Sequence, residues 1–212
     1  MTTHSVQDLL DAVNSDTALK DVAVTQADMQ DIQLAGLRGD FCNFEGSRMM
    51  KANLRGVRLT DCDFPDCDLT EASFEGAMLW QCQYRGATVD RASFVKAELN
   101  SMFMSRASFV GADFRETRVS DVMWVGSHLN QAVFDGSRGD TVSLTEATAH
   151  YASFRNVRWT NAEFDRADLT GADFSGADLK GANFAGAKLD GTRWAGADLT
   201  GAVFDPGFAP AP

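Results

Sequence analysis

The sequence is poor in the residues that most enzyme chemistry uses. Histidine occurs three times (His4, His128, His150) and cysteine four times (Cys42, Cys62, Cys67, Cys82). There is no C-x-x-C pair, no G-x-S-x-G nucleophile turn, no phosphate-cradling loop and no H-E-x-x-H helix. The usual sequence grounds for zinc binding, acyl transfer, nucleotide hydrolysis and metalloproteolysis are therefore missing. Basic residues are outnumbered, 19 against 30 acids, for a formal net charge of −11. That balance disfavours bulk attraction to nucleic acid or to an anionic membrane. No apolar run approaches the roughly 18 residues of a membrane-spanning helix. The start, MTTHSVQDLLDAVNSD, is polar and acidic, unlike a secretory or transit peptide. These absences predict a soluble, cytoplasmic, non-enzymatic protein with no cofactor and no metal.

What the sequence does have is a period of five. Positions ending in 4 or 9, from Val24 to Phe204, are Leu, Phe, Met, Val, Trp or Tyr, except at Gly39, Gly139 and Ala149. Positions ending in 2 or 7, from Val22 to Ala202, are Ala, Cys, Ser, Thr or Val, except at Ile32, Leu37 and Met102. The phase never slips. A helix repeats at about 3.6 residues and a strand at 2, so neither sustains this pattern. A chain that turns a corner every five residues does. Gly171, Gly176, Gly181, Gly186, Gly191, Gly196 and Gly201 suit such corners, because unusual backbone dihedrals are cheap for glycine. In each side the small and the large residue point inward and the other three face out.

The A-[DN]-[LF]-x-x pattern, clearest in ADLTGADFSGADLKGANFAGAKLDG (167–191), resembles the pentapeptide-repeat family over residues 22–206. The resemblance implies an all-β fold, a right-handed quadrilateral β-helix of about nine coils. The expected organisation is an N-terminal segment with a capping helix (1–20), the β-helix (21–206) and a short tail (207–212). Four sides sort the large residues. The column 34, 54, 74 and onward to 194 and the opposite column 24, 44, 64 and onward to 204 are mostly aromatic. Leu, Met and Val fill the two columns between. Facing aromatic ladders would fill a narrow core evenly.

The two ends differ. Ser5 and Asp8 form a capping-box-like start for a short helix through Val13, with Leu9, Leu10 and Val13 available to cover the first coil. The other end has no such cover. The resemblance implies dimerisation there, with Trp194, Leu199, Phe204 and Phe208 as the expected interface of a homodimer. The competing reading is that the Phe208 tail folds back as a small lid. Gly39 and the segment Asp135–Thr141 are expected to mark bulges or loops.

All four cysteines fall at the small inward position, which reads as Cys replacing Ala rather than as a metal site or a disulfide ladder. His128 and His150 lie at opposite edges of one side, a poor arrangement for a shared proton. Function is then expected on the outer columns. One candidate partner-binding surface is an arginine edge of Arg55, Arg58, Arg115, Arg118, Arg138, Arg155 and Arg158, with Arg38 in the same column. It is either a solvated edge with local ion pairs or a strip for an acidic partner. The other is an outward apolar group near mid-rod: Met78, Trp80, Phe103, Met123 and Val125.

The leading function is a protein–protein interaction scaffold. The resemblance also implies a second possibility, a mimic of duplex DNA that binds a type II topoisomerase such as gyrase and gives resistance to its poisons. A third is an adaptor or accessory protein of a bacterial secretion system. No direct nucleic-acid or membrane binding is expected.

Overall fold

The computed structural model describes residues 2–210. Its backbone has the period of the sequence: every fifth residue from Asp16 to Gly201 takes a positive φ. Each such residue is a corner. Residues twenty apart pair in parallel, from Ala23↔Asn43 through to Asn183↔Val203, which makes nine successive steps of twenty residues. Four corners per twenty residues give a four-sided coil, and consecutive coils stack.

Hydrogen bonds join the coils in both directions. Phe64 N–H donates to the Gln83 carbonyl at 2.8 Å, and Asp63 N–H to the Cys42 carbonyl at 2.8 Å. Here the four sides are called A, B, C and D, with inward centres at 19, 24, 29 and 34 and every twentieth residue after each.

The chain starts with strand β1 (Thr2–Thr3) and helix α1 (Val6–Asn14), followed by β2 (Leu19–Lys20) and β3 (Val22–Ala23). Ser5 caps α1 reciprocally with Asp8, as the sequence predicts. Leu9 is fully buried and Leu10 and Val13 pack on the core, so the helix closes the first coil. β1 pairs with β3, which covers part of the edge that an open coil would expose.

Side A then carries β4 (Arg38–Asp40), β5 (Arg58–Thr60), β6 (Met78–Trp80), β7 (Glu98–Asn100), β8 (Arg118–Met123), β9 (Arg138–Ser143) and β10 (Arg158–Trp159), with β8 and β9 continuing round the corner onto side B. With β2 these form an eight-stranded parallel sheet in chain order.

The core consists of the expected ladders. On side D, Phe74, Phe94 and Phe114 stack at 4.8 Å between ring centroids, near the inter-strand spacing. On side B, Phe44, Phe64 and Tyr84 stack at 5.0 Å. The two ladders meet edge to face, as at Phe164 and Phe174 (5.7 Å, 87°).

The expectation of bulges at Gly39 and within Asp135–Thr141 is wrong. Both glycines lie inside side-A strands, and Arg138, Gly139 and Asp140 keep register with Arg118, Val119 and Ser120. Neighbouring atoms fill the space that the missing side chain leaves. A Cβ on Gly39 would sit 2.9 Å from Cys42 Sγ, and one on Gly139 would strike the Val119 carbonyl.

At the other end Phe208 stacks on Phe204 at 5.2 Å, so the tail folds back onto the last coil. Cover there is thin: Leu189, Leu199 and Phe204 are only partly buried. Ala211 and Pro212 of the tail lie outside the described residues.

Candidate functional site: the outer columns of sides A and B

The inward columns leave little chemistry available. All four cysteines are buried free thiols. Burial pushes the Cys67 thiol up to about 12. Cys62 is lowered by its contact with Cys42, but the contact with Cys82 and burial outweigh this and push it up to about 12. A thiol held in that range is not a nucleophile near neutral pH.

Among the described residues no three potential metal-ligating side chains converge. His150 Nε2 lies 3.0 Å from Asp168 Oδ1, and Lys188 Nζ lies 3.0 Å from Oδ2. Burial raises the affinity of Asp168 for a proton. Hydrogen bonds from Thr170, Lys188 and His150 outweigh it and hold the carboxyl below its usual range. The group is a local ion cluster on side C.

The arginine edge divides into two kinds of residue. Arg55 pairs with Glu75 (2.5 Å), Arg115 with Asp113 (2.5 Å), Arg118 with Glu98 (2.9 Å), Arg155 with Asp135 (2.5 Å) and Arg38 with Asp16 (3.0 Å). These behave as a solvated edge with local pairs. Arg58, Arg138 and Arg158 have no carboxylate partner among the described residues, although Arg118, Arg138 and Arg158 are consecutive register neighbours. Like charges in directly opposed positions repel.

The apolar group is exposed as expected. Relative exposure is 45 % for Met78, 54 % for Trp80, 44 % for Phe103 and 39 % for Met123. Val125 is half-buried. In the run Met102–Phe103–Met104, the two methionines are fully buried and Phe103 alone faces solvent.

Met78 and Trp80 stand on β6 at the middle of the side-A sheet. They line a shallow depression of about 400 Å³ with Arg58, Glu98, Asn100 and Arg118. Phe103 stands around the corner on side B, bridged to Met123 in the next coil. It shares a second depression, about 350 Å³, with Gln83, Arg85, Ser105, Arg106 and Val125. Phe41, 43 % exposed, occupies the A–B corner two coils before the one beside Trp80.

Arg85 and Arg106 escaped the sequence reading, and neither has a carboxylate partner among the described residues. The signal was present in the columns. The residues twenty before and after Arg85 are Pro65 and Ser105, and those around Arg106 are Gly86 and Gly126.

The expected dimer residues are placed unequally. Trp194 is only 4 % exposed and stacks on Phe174 at 4.6 Å, so it is spent within its own core and is not a contact surface. Leu199 and Phe204 are half-buried and Phe208 is 36 % exposed.

Comparison with known proteins agrees with this architecture. The pentapeptide-repeat family model matches in eight copies, over residues 27–66, 52–88, 67–101, 143–181 and 177–205. Between these segments lies 102–142, which holds Phe103, Met123 and Gly139. No curated protein sequence matches the chain.

Among solved structures, one similar fold is HetL, a pentapeptide repeat protein involved in heterocyst differentiation regulation in the cyanobacterium Nostoc sp. strain PCC 7120. The TM-score is 0.62 at 23% identity, over 94% of this chain and 92% of HetL. A trypsin-treated variant of QnrB1, a plasmid-mediated fluoroquinolone resistance protein, gives a TM-score of 0.62 at 18% identity, over 97% and 93% of the two chains. At these identities the likeness concerns the fold. With the repeat matched over most of its length and a four-sided coil of twenty residues per turn, the chain belongs to the pentapeptide-repeat family and folds as its right-handed quadrilateral β-helix.

Proposed function

We propose that the protein is a non-enzymatic interaction scaffold, a rigid rod that docks a protein partner through its outer sides in the cytoplasm. The observation that carries this reading is the mid-rod group of Met78, Trp80, Phe103 and Met123, exposed on three successive coils; Phe41, Tyr151, Val203 and Phe208 are exposed elsewhere. Exposed Trp, Phe and Met close together resemble the anchor cluster of an interface. A core residue would be buried, and single scattered apolar residues would carry no such meaning.

The second reading is a topoisomerase-binding mimic of duplex DNA. The net charge of −11 favours it, and so does the fold shared with a fluoroquinolone resistance protein. The arginines of sides A and B interrupt the acidic surface that such a mimic needs.

A gyrase supercoiling assay separates the two. The scaffold reading predicts neither inhibition nor protection from a fluoroquinolone at micromolar protein; either effect would favour the mimic. The partly covered last coil supports pairing of two copies through Leu199, Phe204 and Phe208. Light scattering is expected to give the mass of a dimer, and a monomer there would remove the pairing.

A further inference from the structure

Among the described residues, nine of the fourteen arginines pair with a carboxylate, and most of these pairs run between adjacent coils in the manner of Arg48–Asp28, Arg91–Glu71 and Arg193–Asp173. The other five are Arg58, Arg85, Arg106, Arg138 and Arg158. All five lie on side A, side B or the corner that closes side B. Those sides also carry Met78, Trp80, Phe103 and Met123. In a chain with 30 acids against 19 bases, unpaired cations are therefore concentrated where the apolar side chains are exposed. The contacts are local. Arg58 is the register neighbour of Met78, and Arg85 and Arg106 line the depression that holds Phe103.

We infer that the A–B corner at mid-rod is a docking site for an acidic segment of another protein that carries bulky apolar anchors. This rests on the scaffold reading and names the partner's chemistry. The anchors cover Met78, Trp80 and Phe103, and the segment's carboxylates meet Arg58, Arg85 and Arg106. Guanidinium groups suit carboxylates because their fixed fork allows paired hydrogen bonds, which strengthen as water leaves.

Charge also sets the extent of the site. Past Met123 the adjoining depression is lined by Asp121, Asp140 and Glu163. These repel an acidic segment, as do Asp61 and Asp63 one coil before Trp80 at the same corner, so it engages the coils between them. A nucleic-acid strand offers phosphates to the same arginines, but the overall negative charge opposes its approach.

The test is selection of a random peptide library displayed on phage against the full chain. Enriched peptides are then measured by fluorescence anisotropy. The expected result is enrichment of Asp and Glu together with Trp, Phe or Leu. Affinity should fall at least about tenfold in Trp80→Ala/Phe103→Ala and in Arg58→Glu/Arg85→Glu/Arg106→Glu. It should be largely kept in Trp80→Phe, and should fall by a smaller factor in the Arg→Lys versions, which keep the charge but lose the fork. All the substituted side chains are outside the core, so the variants should melt as wild type does, and the Trp80→Phe and Arg→Lys series remain informative if one does not.

Enriched peptides that are basic or neutral overturn the proposal. Acidic binders indifferent to both variant sets overturn it too, while leaving the scaffold reading in place on another face. Failure to enrich any peptide removes both. Patch-dependent binding of a single-stranded oligonucleotide, or self-association of the chain lost in Trp80→Ala, overturns it in favour of those occupants.

Discussion

Two core residues show how little slack a coil of this width leaves. Tyr84 is fully buried in the side-B ladder, and its hydroxyl has no hydrogen-bond partner. Burial pushes its pKa well above the usual phenol value. Stacking on Phe64 needs only the ring, whereas the unpaired hydroxyl carries a desolvation cost. Tyr84→Phe is therefore expected to raise stability by about 1 kcal/mol, read as a higher denaturation midpoint at unchanged slope. Gly139 presents the opposite case. Its place in the large-residue column suggests a hole that a side chain would fill, yet the Val119 carbonyl already occupies the position of a Cβ. Gly139→Ala is expected to destabilise by about 1–3 kcal/mol, the usual penalty of overpacking. A stabilised variant would show that the strand had room.

The element of this fold is the corner, and the sequence announces only some of them. From Gly171 onward each corner is glycine, with φ near +70°. Earlier corners hold 23 non-glycine residues in the same left-handed region, Thr141 (φ 50°) and Phe41 (φ 55°) among them. A side chain there costs roughly 1–2 kcal/mol per residue relative to right-handed backbone. The coils accept it because hydrogen bonds above and below fix the turn. Thr141 is β-branched, the least comfortable type at such a dihedral. Thr141→Gly is expected to stabilise by about 0.5–1 kcal/mol once glycine's larger loss of freedom on folding is set against the relief. Thermal denaturation at neutral pH checks this.

The period of five was legible because both inward columns hold their phase from Val22 to Phe204. The capping helix was legible because Ser5 and Asp8 stand at capping-box spacing before Leu9. The two off-pattern glycines were not. Residue type reveals a missing side chain, but not whether the backbone or a neighbour takes its space. On the surface, the apolar group could be read directly, since Phe103 lies out of phase with the inward columns. The unpaired state of Arg85 and Arg106 needed the twenty-residue column on either side of each, which a scan for clusters passes over. Arg158 was harder: the neighbouring column offers Asp178, but Asp178 is engaged by Lys180 at 3.2 Å.

At the scale of the whole molecule, charge links stability to pH. The carboxyls of Asp28, Asp168, Asp173 and Asp198 are all held below the ordinary range. Asp198, for example, is lowered to about 2 by the Thr200 hydroxyl and Lys180. Asp63 moves the other way, raised by burial and then by Asp61. A lowered folded-state pKa means that the unfolded chain binds more protons between the two values, so stability rises with pH there. The expectation is a melting temperature that falls as pH drops from about 5 towards 2. The fall should be shallower in Asp168→Asn, and an unchanged slope would contradict this account of the lowered carboxyls.

The proposed docking surface lies where the outer columns break pattern, at the mid-rod corner of sides A and B. Tryptophan emission reports on it directly. Trp124, Trp159 and Trp194 are buried, whereas Trp80 is 54 % exposed, so iodide should quench Trp80 and leave the others. Titration with an acidic peptide carrying Phe and Leu anchors is predicted to shift that quenchable emission to shorter wavelength and to abolish its iodide quenching. Trp80→Phe should lack the signal altogether. Iodide quenching of Trp80 that persists unchanged while the peptide is bound would contradict the account.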